Sequence, residues 1–145
     1  MPTKFTINGQ EIDGQEKVVE WIRDGLNREA ILYAERFGRC LAGRDPDQKR
    51  YSALTTSQIR NIYGEVERMR MKGFDLSAML LLKPRLTYAT SRNATDGSKD
   101  FNKVFIRAID AILEAKEESE QAQRFERFAD FFEAVLAYHR AYGGK

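Results

Sequence analysis

The sequence has 145 residues, a length typical of one domain, and its 42% hydrophobic content with only three prolines excludes a disordered chain. Its longest apolar runs are far shorter than a bilayer requires, nothing at its start resembles a signal peptide, and the single Cys40 cannot form an internal disulfide. The net charge of +2 conceals an asymmetry: residues 36–107 carry fifteen Lys or Arg against seven Asp or Glu, and the two flanking segments carry the acidic excess.

These features predict a single domain over residues 1–145, located in the reducing cytoplasm, with Cys40 as a small core residue. The basic middle segment is suited to binding a polyanion. It is equally suited to contacts between unlike patches of neighbouring molecules.

The N-terminal segment combines an alternating pattern with two helical ones. Residues 5–12 alternate around the pair Asn8-Gly9, which predicts either a short hairpin or a loose arm. A short helix is predicted over residues 15–24, and a second runs from an Asn27 cap to about Ala42.

A polar loop is predicted over residues 43–52, between the N-terminal helices and a central one. It places the cations Lys49 and Arg50 beside the aromatic Tyr51. The loop is therefore a candidate binding element.

The central helix has clear start and stop signals. Thr55 and Gln58 have the spacing of a capping box, and Gly73 is a typical helix end. Apolar residues recur at helical spacing from Ile59 to Met69 and predict a buried face. Arg60 and Arg68 fall on the opposite face, where they either bind a ligand or simply keep the helix soluble.

A second basic segment follows, with no acidic residue between Asp75 and Asp96. Asp75 is a plausible cap for a helix over residues 76–83, and Pro84 can open a new helical segment or kink an existing one. In a helix that starts at Pro84, two cations and an aromatic share one face. These residues are Arg85, Tyr88 and Arg92.

The C-terminal third is predicted to be helical after a polar turn or flexible loop at residues 93–98. One amphipathic helix is predicted over residues 101–113 and another over residues 125–142, joined by a charge run at 116–120 that is either a turn or continuous helix. The last helix carries an apolar face of almost half its circumference. That face either lies deep in a bundle or meets a partner. Together with the flexible connection at residues 93–98, which would permit exchange of helices, it leads us to expect self-association of the isolated protein.

The fold class is therefore predicted to be all-α. Nearly every periodic segment has the helical period, which indicates a compact bundle of five or six helices, with the short hairpin or arm at its N-terminus.

Few residues of this sequence are candidates for catalysis. One histidine and one cysteine exclude a Cys/His zinc set, and no P-loop or Rossmann glycine motif is present. His139 is predicted to be structural or exposed rather than a catalytic base. The carboxylates between Glu114 and Glu120 fit a solvated face better than a magnesium site. We expect no catalytic residue, no metal and no cofactor.

Three classes of function remain open. The first is a non-catalytic RNA-binding subunit in which basic side chains contact phosphates and Tyr88 or Tyr51 stacks on bases. The second is a structural helical adaptor or dimerisation module without direct RNA contact. The third, a nuclease, has the weakest support.

Two stretches resemble a known family. LTTSQIRNIY at residues 54–63 and LLLKPRLTYATSR at 80–92 resemble the signature region of the small subunit of type III-A CRISPR interference complexes, and FADFFEAVLAYHRAYGGK at 128–145 resembles that family's closing segment. The most specific element is the run from Lys83 through Pro84 and Tyr88 to Arg92. The resemblance spans roughly the last two thirds of the chain.

The resemblance implies an all-helical, non-catalytic subunit that lines guide RNA and single-stranded target RNA in several copies. It also implies contacts with copies of itself and with the backbone and large subunits of the effector complex, which carry the cleavage activities. Combined with the charge pattern, it gives a predicted set of RNA-binding residues. These are Lys49, Arg50, Arg60, Arg68, Lys83, Arg85, Tyr88 and Arg92.

Overall fold

The computed structural model describes residues 2–145 and confirms the predicted helical bundle with an N-terminal hairpin. Six helices follow two short strands. The elements are β1 (Lys4–Ile7), β2 (Gln10–Asp13), α1 (Gly14–Asp24), α2 (Arg28–Leu41), α3 (Thr56–Lys72), α4 (Leu76–Ser91), α5 (Asp96–Leu113) and α6 (Glu118–Ala141).

The hairpin forms because its turn residues can adopt positive φ and because one face of its strands is apolar. Asn8 and Gly9 both have positive φ, at 52° and 78°, as a tight two-residue turn requires. The strands are antiparallel and pair Phe5 with Ile12, and both of these side chains are buried. The alternation seen in the sequence therefore separates a core face from a solvent face.

The core is built mainly by α1, α2, α5 and α6. The helix α2 packs along α6, and α1 packs along α5. Aromatic side chains from all four helices meet there: Phe101 and Phe105 stack with their ring centroids 4.1 Å apart, and Phe131 lies 5.7 Å from Trp21. The wide apolar face of α6 lies deep in this cluster, which decides between the two interpretations of that face.

The helices α3 and α4 form a pair at the side of this core. Each begins with the predicted cap: the Thr55–Gln58 capping box starts α3, and the Asp75 carboxylate accepts from the Ser77 amide at 3.1 Å at the start of α4. The apolar face of α3 is buried as predicted, and Gly73 follows its last residue. The two helices pack against each other, and α4 also packs against α5.

Two predicted boundaries are wrong. The first helix of the basic segment does not end at Lys83 but continues through Pro84 to Ser91. Proline removes one backbone donor, and the carbonyl that loses it belongs to the exposed Leu80, where water can replace the bond. Residues 96–98 are helical rather than loop, because Thr95 and Ser98 form a capping box that starts α5.

The charge run at residues 116–120 contains a turn followed by the start of α6. Two side chains of α6 reach back to this turn: Gln121 donates to the carbonyl of Ala115 at 3.0 Å, and Arg124 donates to that of Ala111 at 2.7 Å. These bonds satisfy carbonyls near the end of α5 and stabilise the break between the helices.

Candidate nucleic-acid interface

A groove runs between α3 and α4. Its volume is about 770 Å³. We call it the α3–α4 groove; its charged and aromatic lining is Arg60, Glu65, Arg68, Arg85 and Tyr88, with Leu81, Pro84 and Ala89 among its apolar residues.

The groove continues toward the start of α3 as a smaller hollow of about 260 Å³. Tyr88 lines both parts, and Arg92 lies in the smaller one. Five of the eight predicted RNA-binding residues thus share one surface. They are Arg60, Arg68, Arg85, Tyr88 and Arg92.

The charges in the α3–α4 groove are only partly neutralised. Glu65 pairs with Arg68 and lies 3.5 Å from the guanidinium of Arg85. Neither Arg60 nor Arg92 forms an ion pair within residues 2–145. The groove therefore holds four cations against one carboxylate.

Tyr88 is the exposed aromatic of this surface. It belongs to α4, lines the groove and is 65% exposed. A large exposed ring next to arginines can stack on a planar ligand, and the arginines can hold the phosphates of that ligand.

Lys83 lies apart from the other cations of α4. Its ammonium is 2.7 Å from Asp110 of α5, so it points away from α3. An offset of two residues corresponds to a rotation of about 200° around a helix, which is why Lys83 and Arg85 lie on opposite sides of α4.

Lys49 and Arg50 belong to a third hollow, of about 340 Å³, between the loop 43–55 and α5. Sequence reasoning did not identify two other cations that line it, Lys99 and Lys103. Their spacing of four residues would have been visible as one helical face, had the helix been started at Asp96.

Tyr51 does not have the exposure that stacking requires. Its hydroxyl donates to the buried carboxylate of Asp100 at 2.7 Å, and burial raises the pKa of this hydroxyl above its usual value. Tyr51 anchors the loop, and the prediction that it stacks on bases is not supported by this position.

Side chains with catalytic potential are placed in structural positions. Cys40 is buried, and burial raises the pKa of its thiol to about 12, so it is not an activated nucleophile. His139 is fully buried with Nε2 2.7 Å from the carbonyl of Leu54, as the structural interpretation predicts. The carboxylates from Glu114 to Glu120 are exposed.

Two features that would imply other functions are lacking in the part of the chain described here. No three His, Cys, Asp or Glu side chains converge as metal ligands would. None of the helices is long and apolar enough to cross a membrane.

Comparison with known proteins supports the resemblance noted in the sequence. The Csm2 Type III-A family matches residues 28–145, from the first residue of α2 to the end of the chain. A curated relative, the CRISPR system Cms protein Csm2 of Streptococcus thermophilus, is 29% identical over 119 residues, which cover 78% of this chain and 93% of the relative. No solved structure gives a significant match. Since the family match covers most of the chain, including both helices of the groove, the chain belongs to the Csm2 family, the small subunit of type III-A CRISPR Csm complexes.

Proposed function

We propose that this subunit is non-catalytic and binds guide RNA and single-stranded target RNA through the α3–α4 groove. One observation supports this most strongly: four arginines and an exposed tyrosine from two helices line one continuous groove. The subunit would work in the cytoplasm, in several copies, beside the backbone and large subunits of the complex.

The ion pairs of the groove indicate which of its arginines are free to contact phosphates. Arg60 and Arg92 are unpaired within residues 2–145, so they can contact phosphates without losing an existing partner. Arg68 and Arg85 share Glu65, which orients them but weakens their pull on an anion. Phosphate contacts carry no base information, so binding should depend little on RNA sequence.

A structural adaptor without direct RNA contact is the second candidate. Its support is the apolar surface of α4, where Leu81, which lines the groove, and the adjacent Leu80 are 49% and 55% exposed. Exposed leucines of this kind are typical of a protein interface. Contact between copies remains part of either proposal, but the buried face of α6 would not supply it.

The test replaces three groove arginines, Arg60, Arg85 and Arg92, with alanine. The single-stranded RNA affinity should fall more than tenfold at moderate salt. The slope of log affinity against log salt should decrease by about 0.7 for each lost phosphate contact. Unchanged helicity and melting would show that the variant is folded.

Two controls separate the groove from total charge. The triple variant Arg28→Ala, Lys116→Ala and Lys145→Ala removes the same charge from exposed positions elsewhere, and should bind RNA as the wild type does. Lys83→Ala removes a cation from the other side of α4 and should also leave RNA affinity unchanged. Normal RNA affinity in the groove variant, with complex assembly lost, would favour the adaptor.

A further inference from the structure

The hollow between the loop 43–55 and α5 is lined by four cations. We call it the α5 pocket. Its charged residues are Lys49, Arg50, Asp96, Lys99, Asp100 and Lys103. None of its lining residues lines the α3–α4 groove, so the two surfaces are separate.

The loop is held firmly against α5 just after the two loop cations. Tyr51 donates to Asp100 at 2.7 Å, and the Ser52 amide and hydroxyl donate to Asp96 at 2.9 and 3.0 Å. The Gly97 amide donates back to the Ser52 carbonyl at 2.9 Å. A Cβ on Gly97 would collide with the backbone of Leu54, so this close approach requires glycine.

The backbone of Arg50 adopts a conformation that side chains disfavour. Its φ is +57°, and its side chain is exposed rather than packed. Glycine or asparagine would be the usual residue in such a turn. An arginine at this position instead adds a positive charge beside Lys49 and the cations of α5.

The two carboxylates of the pocket do not neutralise the four cations. Asp96 is occupied by Ser52, whose hydrogen bonds lower the pKa of that carboxyl. Asp100 accepts from Tyr51 and lies 3.5 Å from Lys103. In residues 2–145, the remaining cations Lys49, Arg50 and Lys99 have no ion-pair partner.

We infer that the α5 pocket is a second phosphate-binding site, which takes a phosphate of the RNA backbone on Lys49, Arg50 and Lys99. The inference rests on the proposed RNA-binding function and adds Lys99 to its contacts. Inorganic phosphate offers the same oxyanion, but a nucleic-acid strand is favoured by proximity. Asn93 lines the end of the α3–α4 groove, and Asp96 lines the α5 pocket three residues later.

Arg50→Gly gives a sharp test, because glycine removes the cation and also suits the positive φ. The variant should be at least as thermally stable as the wild type, and should bind a single-stranded oligouridylate of about 20 nucleotides about threefold to tenfold more weakly at moderate salt. Lys99→Ala should weaken binding similarly. Lys116→Ala, an exposed lysine outside both surfaces, is the matched control and should have no effect.

The outcomes distinguish this inference from the proposed function. Wild-type affinity in Arg50→Gly and Lys99→Ala, with weakened binding in the groove variant, would overturn the pocket and leave the groove. The reverse pattern would support the pocket and overturn the groove. Thermal stabilisation by inorganic phosphate with unchanged RNA affinity would indicate a free-anion site. Loss of complex assembly with unchanged RNA affinity would indicate an acidic protein partner, and either result overturns an RNA site.

Discussion

At the scale of single residues, His139 shows how a buried polar group ties distant parts of the chain together. Its Nε2 lies 2.7 Å from the carbonyl of Leu54, the residue before the cap of α3. A carbonyl can only accept, so Nε2 carries the proton. The other ring nitrogen, Nδ1, is buried without a partner. Protonation would place an unpaired charge there, and burial lowers the pKa of this imidazole below its usual value of 6.5.

Stability should therefore decrease as the pH falls below about 6.5. Because the folded pKa is the lower one, the unfolded chain takes up the proton first. The contribution of His139 is complete above pH 6.5 and is lost on acidification, at up to about 1.4 kcal/mol per pH unit. Urea unfolding between pH 7.5 and pH 5 (roughly the window set by the unperturbed histidine) would measure this change.

The variant His139→Gln isolates this effect from that of the carboxylates. It offers an amide donor but does not titrate, so the free energy of unfolding should change less with pH than in the wild type. Identical pH profiles for the two proteins would contradict the assignment.

Sequence reasoning succeeded for residues whose direction is set by their own helix. Helical periodicity placed Arg60 on the face of α3 away from the core and put Arg85 and Arg92 on one face of the next helix, and all three are exposed. It did not indicate that Lys83 pairs with Asp110, because Asp110 lies 27 residues away on another helix. Pairings of this kind depend on how helices cross, which local patterns do not encode.

At the scale of elements, the contact between α2 and α6 depends on a glycine. A Cβ on Gly38 would lie 2.7 Å from the carbonyl oxygen of Val135 and 2.8 Å from Cβ of Tyr138. The backbones of the two helices are therefore too close for any side chain at this position. Gly64 of α3 is the opposite case, since nothing lies within 4 Å of the position of its Cβ.

These two glycines should respond to alanine in opposite directions. Gly38→Ala should destabilise the protein by about 1–3 kcal/mol, because α2 and α6 must move apart. Gly64→Ala should stabilise it by about 0.5–1 kcal/mol, because alanine loses less backbone entropy in a helix. Urea unfolding midpoints at one pH would measure both changes. A loss of stability in both variants would show that the crossing of α2 and α6 is not the cause.

The elements also show which local signals are reliable. The caps at Asn27, Thr55 and Asp75 were all recognised, because each depends on residues close in sequence. The extent of α4 was not predicted correctly. A proline inside a helix can be tolerated where the carbonyl four residues earlier is exposed to water. The wide aromatic face of α6 remained ambiguous in the sequence because only the packing of α1, α2 and α5 around it shows what covers it.

At the scale of the whole molecule, the basic middle segment folds into two surfaces rather than one. The α3–α4 groove has one aromatic ring and four arginines, and the α5 pocket has lysines and Arg50. The net positive charge of residues 36–107 could indicate that the protein binds a polyanion. It could not indicate that the cations would lie on two separate surfaces. A strand that reaches both surfaces gains the second contact at the high effective concentration set by the first.

RNA length should therefore reveal whether the surfaces cooperate. With oligouridylates of about 4 to about 20 nucleotides, wild-type affinity should rise steeply once the strand reaches both surfaces, and only gradually afterwards. Arg50→Gly should flatten the steep rise by about threefold to tenfold but leave the affinity of the shortest strands, held by the groove alone, nearly unchanged. Alanine at Arg60, Arg85 and Arg92 should weaken strands of every length. If Arg50→Gly weakens short and long strands by the same factor, the α5 pocket and the groove do not share one strand, because a single joint contact can affect only RNA long enough to reach it.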